Sequence, residues 1–448
     1  MIKLKSNTSE LSIIEQLSLL DAKKRESILN ELAPSKEERE LLLYNYKFRA
    51  RPKQILPLDK NYFNYLVLAG RGFGKTFLGS NHIINYAMRE PCILGVASST
   101  ARDTRDVVVE SGVSSIIAQC PPWYKGVYNP SKNLITFPNG SIVHTFSGEK
   151  PDGLRGFQFH KFWLDEFAKF RYPQEFYDQL MLCMRLPEGK PELILTTTPR
   201  PIKALKTILN DSTTYVVRGS TYDNRNNLSN AFLKQIENKY AGTRLGRQEI
   251  EGEVLSDLQG ALWNYDLIDL NRVSTHPPLI ETVIAIDPAV TSNNASNETG
   301  IIVVGKSEDG HGYVLEDCSG VYTPSQWAEL VINLYDRYSA NRIIAEVNNG
   351  GDLVETNLQT TARMQNRSPL PYKKVHASKG KFVRAEPIST IYEKNRVHHV
   401  GSFPFLEDQM TSFIPGAKSP DRMDALVWGL THLLVTVDEV TFIKNNLW

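Results

Sequence analysis

The sequence predicts an α/β fold in two halves, and three observations carry that reading. Apolar strand-like runs alternate with amphipathic segments from about residue 48 to 250. A second series of such runs begins near 281, and a polar interval, 251–279, ending in His276, Pro277 and Pro278, separates the two. Strands alternating with helices imply a mostly parallel, covered sheet. At 448 residues the chain is too long for one ordinary domain, and each half can bury its own core.

In chain order, residues 1–47 carry helical signals. Ser9 is placed to cap an apolar pattern at Leu11, Ile13, Ile14, Leu17 and Leu20, with charged residues between, so a small helical extension is expected. The domain expected at 48–250 holds the runs "NYLVLAG", "CILGVASS", "SIVHTFSG", "KFWLDE", "ELILTTTP" and "TYVVRGS". The domain expected at 280–440 opens with "ETVIAIDPAV", "TGIIVVGKS" and "GYVLEDCSG", three strands joined by short turns. A helix, the strand "RIIAEVNN", a basic region and a final helix "DRMDALVWGLTHLLVTV" follow, and residues 441–448 form a short tail. This order predicts a partly antiparallel sheet.

Composition narrows the class. The 51 Lys and Arg balance 50 Asp and Glu, so contact with nucleic acid must come from local patches. Cys92, Cys120, Cys183 and Cys318 form no C-x-x-C pair, which points to a reducing compartment and away from a zinc module. The N-terminus lacks an apolar h-region, and no run approaches the ~18 apolar residues of a membrane span. A soluble intracellular chain without a membrane partner is expected.

The stretch "LVLAGRGFGKTFLGS" follows a strand-like run and precedes a plausible helix, the context of a Walker A loop, although Ala69 stands where the first glycine belongs. Gly70, Gly72 and Gly74 let backbone N–H groups approach phosphates, Lys75 reaches the outer phosphates, and Thr76 can ligate magnesium. "FWLDE" ends an apolar strand in two carboxylates, Asp165 to hold the magnesium through water and Glu166 to orient or deprotonate the attacking water. A strand ending in a charged turn explains that string alone less well once a Walker A loop precedes it. "LILTTTPR" delivers Thr196, Thr197 and Thr198 to the carboxyl end of the sheet, where hydroxyls can sense a γ-phosphate. Arg51 and Gln54, just before the first strand, occupy the place of an adenine-contacting segment. Transition-state charge also needs a cation. Arg71 inside the loop and Arg155 in "PDGLRGFQFH" are both candidates, with Arg102 and Arg105 weaker ones.

In the second half Asp287 ends one strand, Glu346 ends another, and Asp421 and Asp424, three apart, share a face at the start of a helix. Carboxylates converging there would repel one another without cations, so they suit hard divalent metals, and two such ions would serve phosphodiester cleavage. Turn, cap and solvated strand-end roles would account for each acid separately, but less easily for all together. Residues 363–396 hold nine cations against Glu386 and Glu393, a local net charge of +7. Lys379, Lys381 and Arg384 within it are expected to meet DNA without reading sequence.

Taken in order, the Walker A variant with its internal arginine, "FWLDE", "TTTP", the linker, "IAIDP", "IAEVNNGGD", "HASKGKFVRAEPI" and "DRMDALVWG" resemble the large terminase subunit of tailed bacteriophages over about residues 48–435. The resemblance implies an N-terminal P-loop ATPase of the additional-strand (ASCE) class and a C-terminal RNase H-like nuclease. It implies ATP with Mg2+ at one site and Mg2+ or Mn2+, two ions, at the other. The implied partners are double-stranded DNA, the portal protein and the small terminase subunit, with the chain in a homo-oligomeric ring, commonly a pentamer, in the infected host's cytoplasm and not in the mature virion. Matched position by position, Lys75 and Thr76 take the phosphate and magnesium roles, and Asp165 and Glu166 the Walker B and catalytic roles. Thr196 to Thr198 take the coupling motif, Arg155 an arginine that acts on a neighbouring subunit in some members, and Asp287, Glu346 and Asp424 the nuclease ligands. Two other readings remain at this stage: a helicase-nuclease of repair or recombination, which lacks a second helicase core here, and a ring component with an inactive nuclease-like module, which the complete acid set speaks against.

Overall fold

The computed structural model describes residues 10–57, 60–186, 190–240, 244–254, 260–288, 298–346, 351–376, 380–414 and 420–435. The chain forms two units, Met1–Leu255 and Ser256–Trp448.

The first unit begins with short helices at Ile13–Ser18, Ala22–Leu32, Lys36–Leu42 and Tyr46–Arg49. Ser12 caps the first of them in a reciprocal box with Glu15. Ser9, the expected cap, lies outside the described residues. The sheet that follows has β1 (Asn64–Ala69), β2 (Ile93–Ser98), β3 (Val127–Asn129), β4 (Leu134–Thr136), β5 (Ile142–Ser147), β6 (Lys161–Asp165), β7 (Glu192–Thr197) and β8 (Thr214–Gly219). Their order is β3-β4-β5-β2-β6-β7-β1-β8. From β5 to β8 in that order the strands run parallel, and β3 and β4 add an antiparallel edge. Every residue of β1 and β7 is buried, as expected where helices cover both faces. Strand β7 lies between β1 and β6, so a strand separates the one that ends in the glycine loop from the one that ends in Asp165.

Helix Lys75–Arg89 packs Leu78, Ile83, Ile84 and Ala87 into the core formed by β1, β2 and β6. Gly79 is required there, because a Cβ at that position would sit 2.0 Å from the Trp163 ring. The helix therefore approaches β6 closely at Trp163.

The second unit has β9 (Arg272–Val273), β10 (Leu279–Asp287), β11 (Gly300–Ser307), β12 (Gly312–Asp317), β13 (Arg342–Glu346), β14 (Tyr372–Val375) and β15 (Val397–Val400), in the order β14-β13-β10-β11-β12-β15-β9. Strands β10, β11 and β12 are antiparallel, while β13, β14, β15 and β9 join in parallel. Alternate residues of β10 and β11 feed two cores. Val283, Ile302 and Val304 pack with Leu426 and Leu430 of helix Asp421–Leu434. Ile284, Ile286, Ile301 and Val303 pack with Trp327, Val331 and Leu358, from helices Pro324–Arg337 and Gly351–Met364. The interval read as linker carries helix Tyr265–Leu270 and β9, which pairs with β15. The basic region folds as β14 and helix Lys381–Glu393, with Pro387 inside the helix.

Candidate functional site

The loop after β1 is held from two sides. Ala69 completes the strand, fully buried, and the left-handed backbone falls instead on Gly72 (φ 77°) and Gly74 (φ 93°). The missing first glycine therefore has no conformational cost. Gly70 answers a packing demand, because a Cβ there would lie 2.2 Å from the Ile250 carbonyl oxygen. Thr221 Oγ1 donates to the Arg71 carbonyl at 2.6 Å, Asn224 Nδ2 to that of Gly72 at 2.6 Å, and Gln54 Nε2 to those of Phe73 and Gly74 at 3.3 Å. Arg51 also donates to the Phe73 carbonyl. With these carbonyls committed, and the N–H groups of Gly70, Arg71 and Phe73 bonded to the carbonyls of Gly219, Glu249 and Gly70, the N–H groups of Gly72 and Gly74 and the Lys75 ammonium form a set suited to an anion. Arg51 and Gln54, expected near an adenine, are buried and brace the loop itself.

Lys75 Nζ donates to the carbonyls of Ala69 at 2.8 Å and Gly70 at 3.2 Å and to Thr198 Oγ1 at 3.2 Å, and lies 3.5 Å from Glu166 Oε1. Thr76 is the second residue of the helix and is half-buried. Register places Asp165 beside Thr196, whose hydroxyl donates to Asp165 Oδ1 at 2.7 Å and accepts from Trp163 Nε1 at 2.9 Å. Thr197 Oγ1 accepts from Ala168 N at 3.1 Å and donates to the Thr198 carbonyl. Glu166 takes a left-handed backbone (φ 53°, ψ 43°), a conformation that costs a non-glycine residue and re-aims its carboxylate.

The two carboxyls titrate apart. Burial and the neighbouring Glu166 charge push Asp165 up to about 6. Burial opposes ionisation of Glu166 as well, but Lys75 and Lys169, the latter 3.0 Å away, outweigh it and hold the group below the usual carboxylate range. Arg71 and Arg155 stand elsewhere. Arg71 Nε bonds Glu249 Oε2 at 2.6 Å, and its N–H bonds the Glu249 carbonyl at 2.7 Å. Arg155 is 69% exposed and pairs with Asp152 at 2.9 Å.

In the second unit β10 and β13 run side by side in parallel, so Asp287 and Glu346 leave the sheet at the same edge. Helix Asp421–Leu434 brings Asp424 to them in its first turn, with Asp421 as its first residue. Asp287 is pushed well above its ordinary value, by burial first and then by Asp424, with Glu346 and Asp421 adding smaller repulsions. Two cations enter the cluster. Lys381 Nζ lies 2.5 Å from Asp424 Oδ2, and Arg384 Nη2 is 3.5 Å from both Glu346 Oε2 and Asp424 Oδ1. Arg384, read as DNA-facing, is turned inward and buried, because the acids and the Trp428 ring hold it. Lys379 lies outside the described residues. Among the described residues no three acidic, His or Cys groups already form a ligand cage. The donors nonetheless fit a hard divalent ion: they are carboxylate oxygens whose mutual repulsion already draws in positive charge.

Residues 66–270 match the family model "Terminase large subunit, T4likevirus-type, N-terminal", and residues 284–433 match that of the "Terminase RNaseH-like domain". The chain belongs to the terminase large-subunit family. It carries the ATPase and RNase H-like nuclease domains of a phage DNA-packaging motor, which decides against a repair or recombination helicase-nuclease. No curated protein matches the sequence. Among solved structures, the large terminase of a thermophilic bacteriophage is 14% identical with a TM-score of 0.41, covering 89% of this chain and 99% of that one. The HK97 bacteriophage large terminase is 12% identical with a TM-score of 0.36, covering 83% and 91%. The ATPase domain of the Thermus phage P74-26 large terminase is 14% identical with a TM-score of 0.37, covering 50% and 99%.

In this terminase several site contacts had no motif to announce them. Thr221, Asn224 and Glu249 reach the loop from about 150 to 180 positions downstream, and Lys169 reaches Glu166 from the turn after β6. Trp163 inside "FWLDE" and Gly79 at helical spacing after Lys75 are visible in the sequence, but only the fold shows that one rests on the other. Among the described residues no helix is long and apolar enough to cross a membrane.

Proposed function

We propose that Lys75, Thr76, Asp165 and Glu166 carry out ATP hydrolysis and that Asp287, Glu346 and Asp424 carry out DNA cleavage in this packaging subunit. The observation that supports the reading best is the convergence of Lys75, Asp165, Glu166 and Thr198 at the ends of β1, β6 and β7. The N–H groups of Gly72 and Gly74 line the phosphates, whereas that of Gly70, expected to do the same, is taken by the Gly219 carbonyl at 3.0 Å, and Lys75 exchanges the loop carbonyls for the outer phosphate oxygens. Thr76 and Asp165 hold Mg2+, which supplies neutralising charge to the phosphates when bound. Glu166 stays ionised through Lys169 after Lys75 turns to the nucleotide, so it orients the attacking water by accepting its hydrogen bond. Thr198, whose hydroxyl already bonds Lys75, reads the far phosphate, while the Thr196 and Thr197 hydroxyls, expected there as well, are taken up by Asp165 and the Thr198 carbonyl. Arg51 and Gln54 act by holding the loop.

Asp287, Glu346 and Asp424, with Asp421 behind them, bind Mg2+ or Mn2+, two ions when fully loaded. Bound there, the ions supply Lewis-acid stabilisation of the phosphodiester's departing oxygen. Lys379 and Lys381 meet the DNA backbone. The working assembly is a ring, taken as a pentamer, on a portal with the small terminase subunit, in the host cytoplasm. Within it Arg155 acts on the neighbouring subunit's nucleotide, while Arg71 remains with Glu249.

The decisive assay is ATP-dependent uptake of double-stranded DNA into purified procapsids. Uptake unaffected by Glu166→Ala would overturn the ATPase assignment. Cleavage that survives Asp287→Ala and Asp424→Ala together would overturn the nuclease assignment.

A further inference from the structure

Helix Lys381–Glu393 starts with two cations on one face, Lys381 and Arg384, and has no acidic residue in its first turn and no side-chain cap from Gly380. The N-terminal end of a helix carries partial positive charge, so this is the least favourable end for two cations. The acids opposite hold them there: Asp424 for Lys381 at 2.5 Å, and Glu346 and Asp424 for Arg384 at 3.5 Å.

The two cations are held differently. Arg384 is wedged, with its side chain 9% exposed and its Cζ 4.6 Å from the centre of the Trp428 ring. Trp428 Nε1 also donates, at 2.6 Å, to the same Glu346 oxygen that Arg384 faces. Arg384 Nε and Nη1 are buried without a hydrogen-bond partner, so its place is set by stacking and charge. Moving it would strip Glu346 of a neighbouring cation. Lys381 has a side chain 40% exposed, on a flexible four-carbon stem, and its ammonium meets the cluster at one Asp424 oxygen. It can swing out to water without disturbing the core.

We propose that Lys381 is an exchangeable counter-ion. Its ammonium occupies the Asp424 oxygen that a divalent ion needs, and binding of that ion drives it outward. Arg384 is the fixed partner, a positioning residue that keeps Glu346 aimed at the site. Lys381 thus lowers the site's affinity for metal and holds the acids together until metal arrives, whereas Arg384 raises that affinity. This rests on the reading of Asp287, Glu346 and Asp424 as the metal site.

The test is Mn2+ binding to the full-length, nucleotide-free protein, followed by the electron paramagnetic resonance signal of free Mn2+. Asp424→Asn identifies the component that belongs to this site. Lys381→Met should tighten that component about tenfold, much less than a fixed like charge a few ångströms from an ion would exert at an effective dielectric near 20, because the wild-type ammonium escapes to water. Arg384→Met should weaken it about 10- to 100-fold, as loss of a partner that orients a ligand does. Lys381→Gln serves if the methionine variant does not fold, with circular dichroism as the check. Unchanged or weaker Mn2+ binding in a folded Lys381 variant overturns the proposal. Absence of any wild-type component removed by Asp424→Asn instead overturns the metal-site reading, and the proposal with it.

Discussion

At the end of β1 one ammonium faces two backbone carbonyls, a hydroxyl and a carboxylate, whereas at the ends of β10 and β13 two cations are drawn in to pair with Glu346 and Asp424, which also repel a third acid, Asp287. The first site is made by backbone: strand ends, a turn with two left-handed glycines, and side chains that bind its carbonyls. The second is made by side chains whose charges oppose one another. An anion site built this way exists before its ligand arrives. A cation site built from buried acids is under electrostatic strain until it is neutralised.

The largest effects should come from removing one charge at each site. Lys75→Ala should lower phosphate release from ATP about 10³-fold or more and leave the melting temperature nearly unchanged, because Glu166 keeps Lys169. Asp287→Asn should abolish metal-dependent cleavage and yet raise stability by about 1 kcal/mol, since it removes a buried carboxylate that its neighbours repel. Calorimetry beside the two activity assays checks both. If Asp287→Asn destabilises the fold, the contrast between a relaxed and a strained site is wrong.

The units also differ in how they bury histidine. His399 is fully buried with both ring nitrogens engaged, by Tyr392 at 2.8 Å and Glu407 at 3.0 Å. His82 lies between Tyr46 and Tyr86 with Nε2 unpartnered, and burial, then Arg89, push it down to about 4. A histidine depressed in the folded state is protonated more readily in the unfolded one. Its contribution is therefore intact above the unfolded value near 6.5 and is lost as pH falls toward 4. The first unit should lose on the order of 3 kcal/mol across that window. His82→Phe should flatten the dependence, read as the melting temperature of the first unit against pH.

A smaller effect tests whether packing positions Asp165. Gly79→Ala places a methyl against the Trp163 ring and should cost about 2 kcal/mol. Because Trp163 bonds Thr196 and Thr196 bonds Asp165, ATP hydrolysis should fall several-fold with little change in cleavage. Equal loss of both activities would mean global destabilisation instead.

These contrasts also show what a linear sequence can carry. The strands ending in Asp165, Thr197, Asp287 and Glu346 were legible because both faces of each sheet are covered, which forces continuous apolar runs that stop at a polar strand end. Strands β3 and β4 were not, since three residues each offer no period to read. Helix Lys381–Glu393 was hidden by Pro387 and by a basic composition that reads alike whether it faces DNA or buried acids. The inward aim of Arg384 depends on Trp428, and the brace on the glycine loop depends on Thr221, Asn224 and Glu249. Pairs so distant in sequence leave no local pattern.

The smallest effect on stability belongs to the exposed pair Asp152 and Arg155, three residues apart at the edge of the first unit. Pairs of this kind contribute less than about 0.5 kcal/mol, so Asp152→Ala and Arg155→Ala should leave the melting temperature within that margin. Their activities should nonetheless diverge. Asp152→Ala frees the guanidinium and should preserve ATP hydrolysis, whereas Arg155→Ala should abolish it if the arginine serves a neighbouring subunit. Mixing Arg155→Ala with Glu166→Ala subunits sharpens the point. A ring that contains both can pair an intact Glu166 with an intact Arg155 from next door, so mixing should restore part of the hydrolysis that neither variant shows alone. No recovery in mixed rings, with assembly confirmed by light scattering, would place the transition-state cation within one chain and return Arg71, beside Glu249 in the loop, to that role.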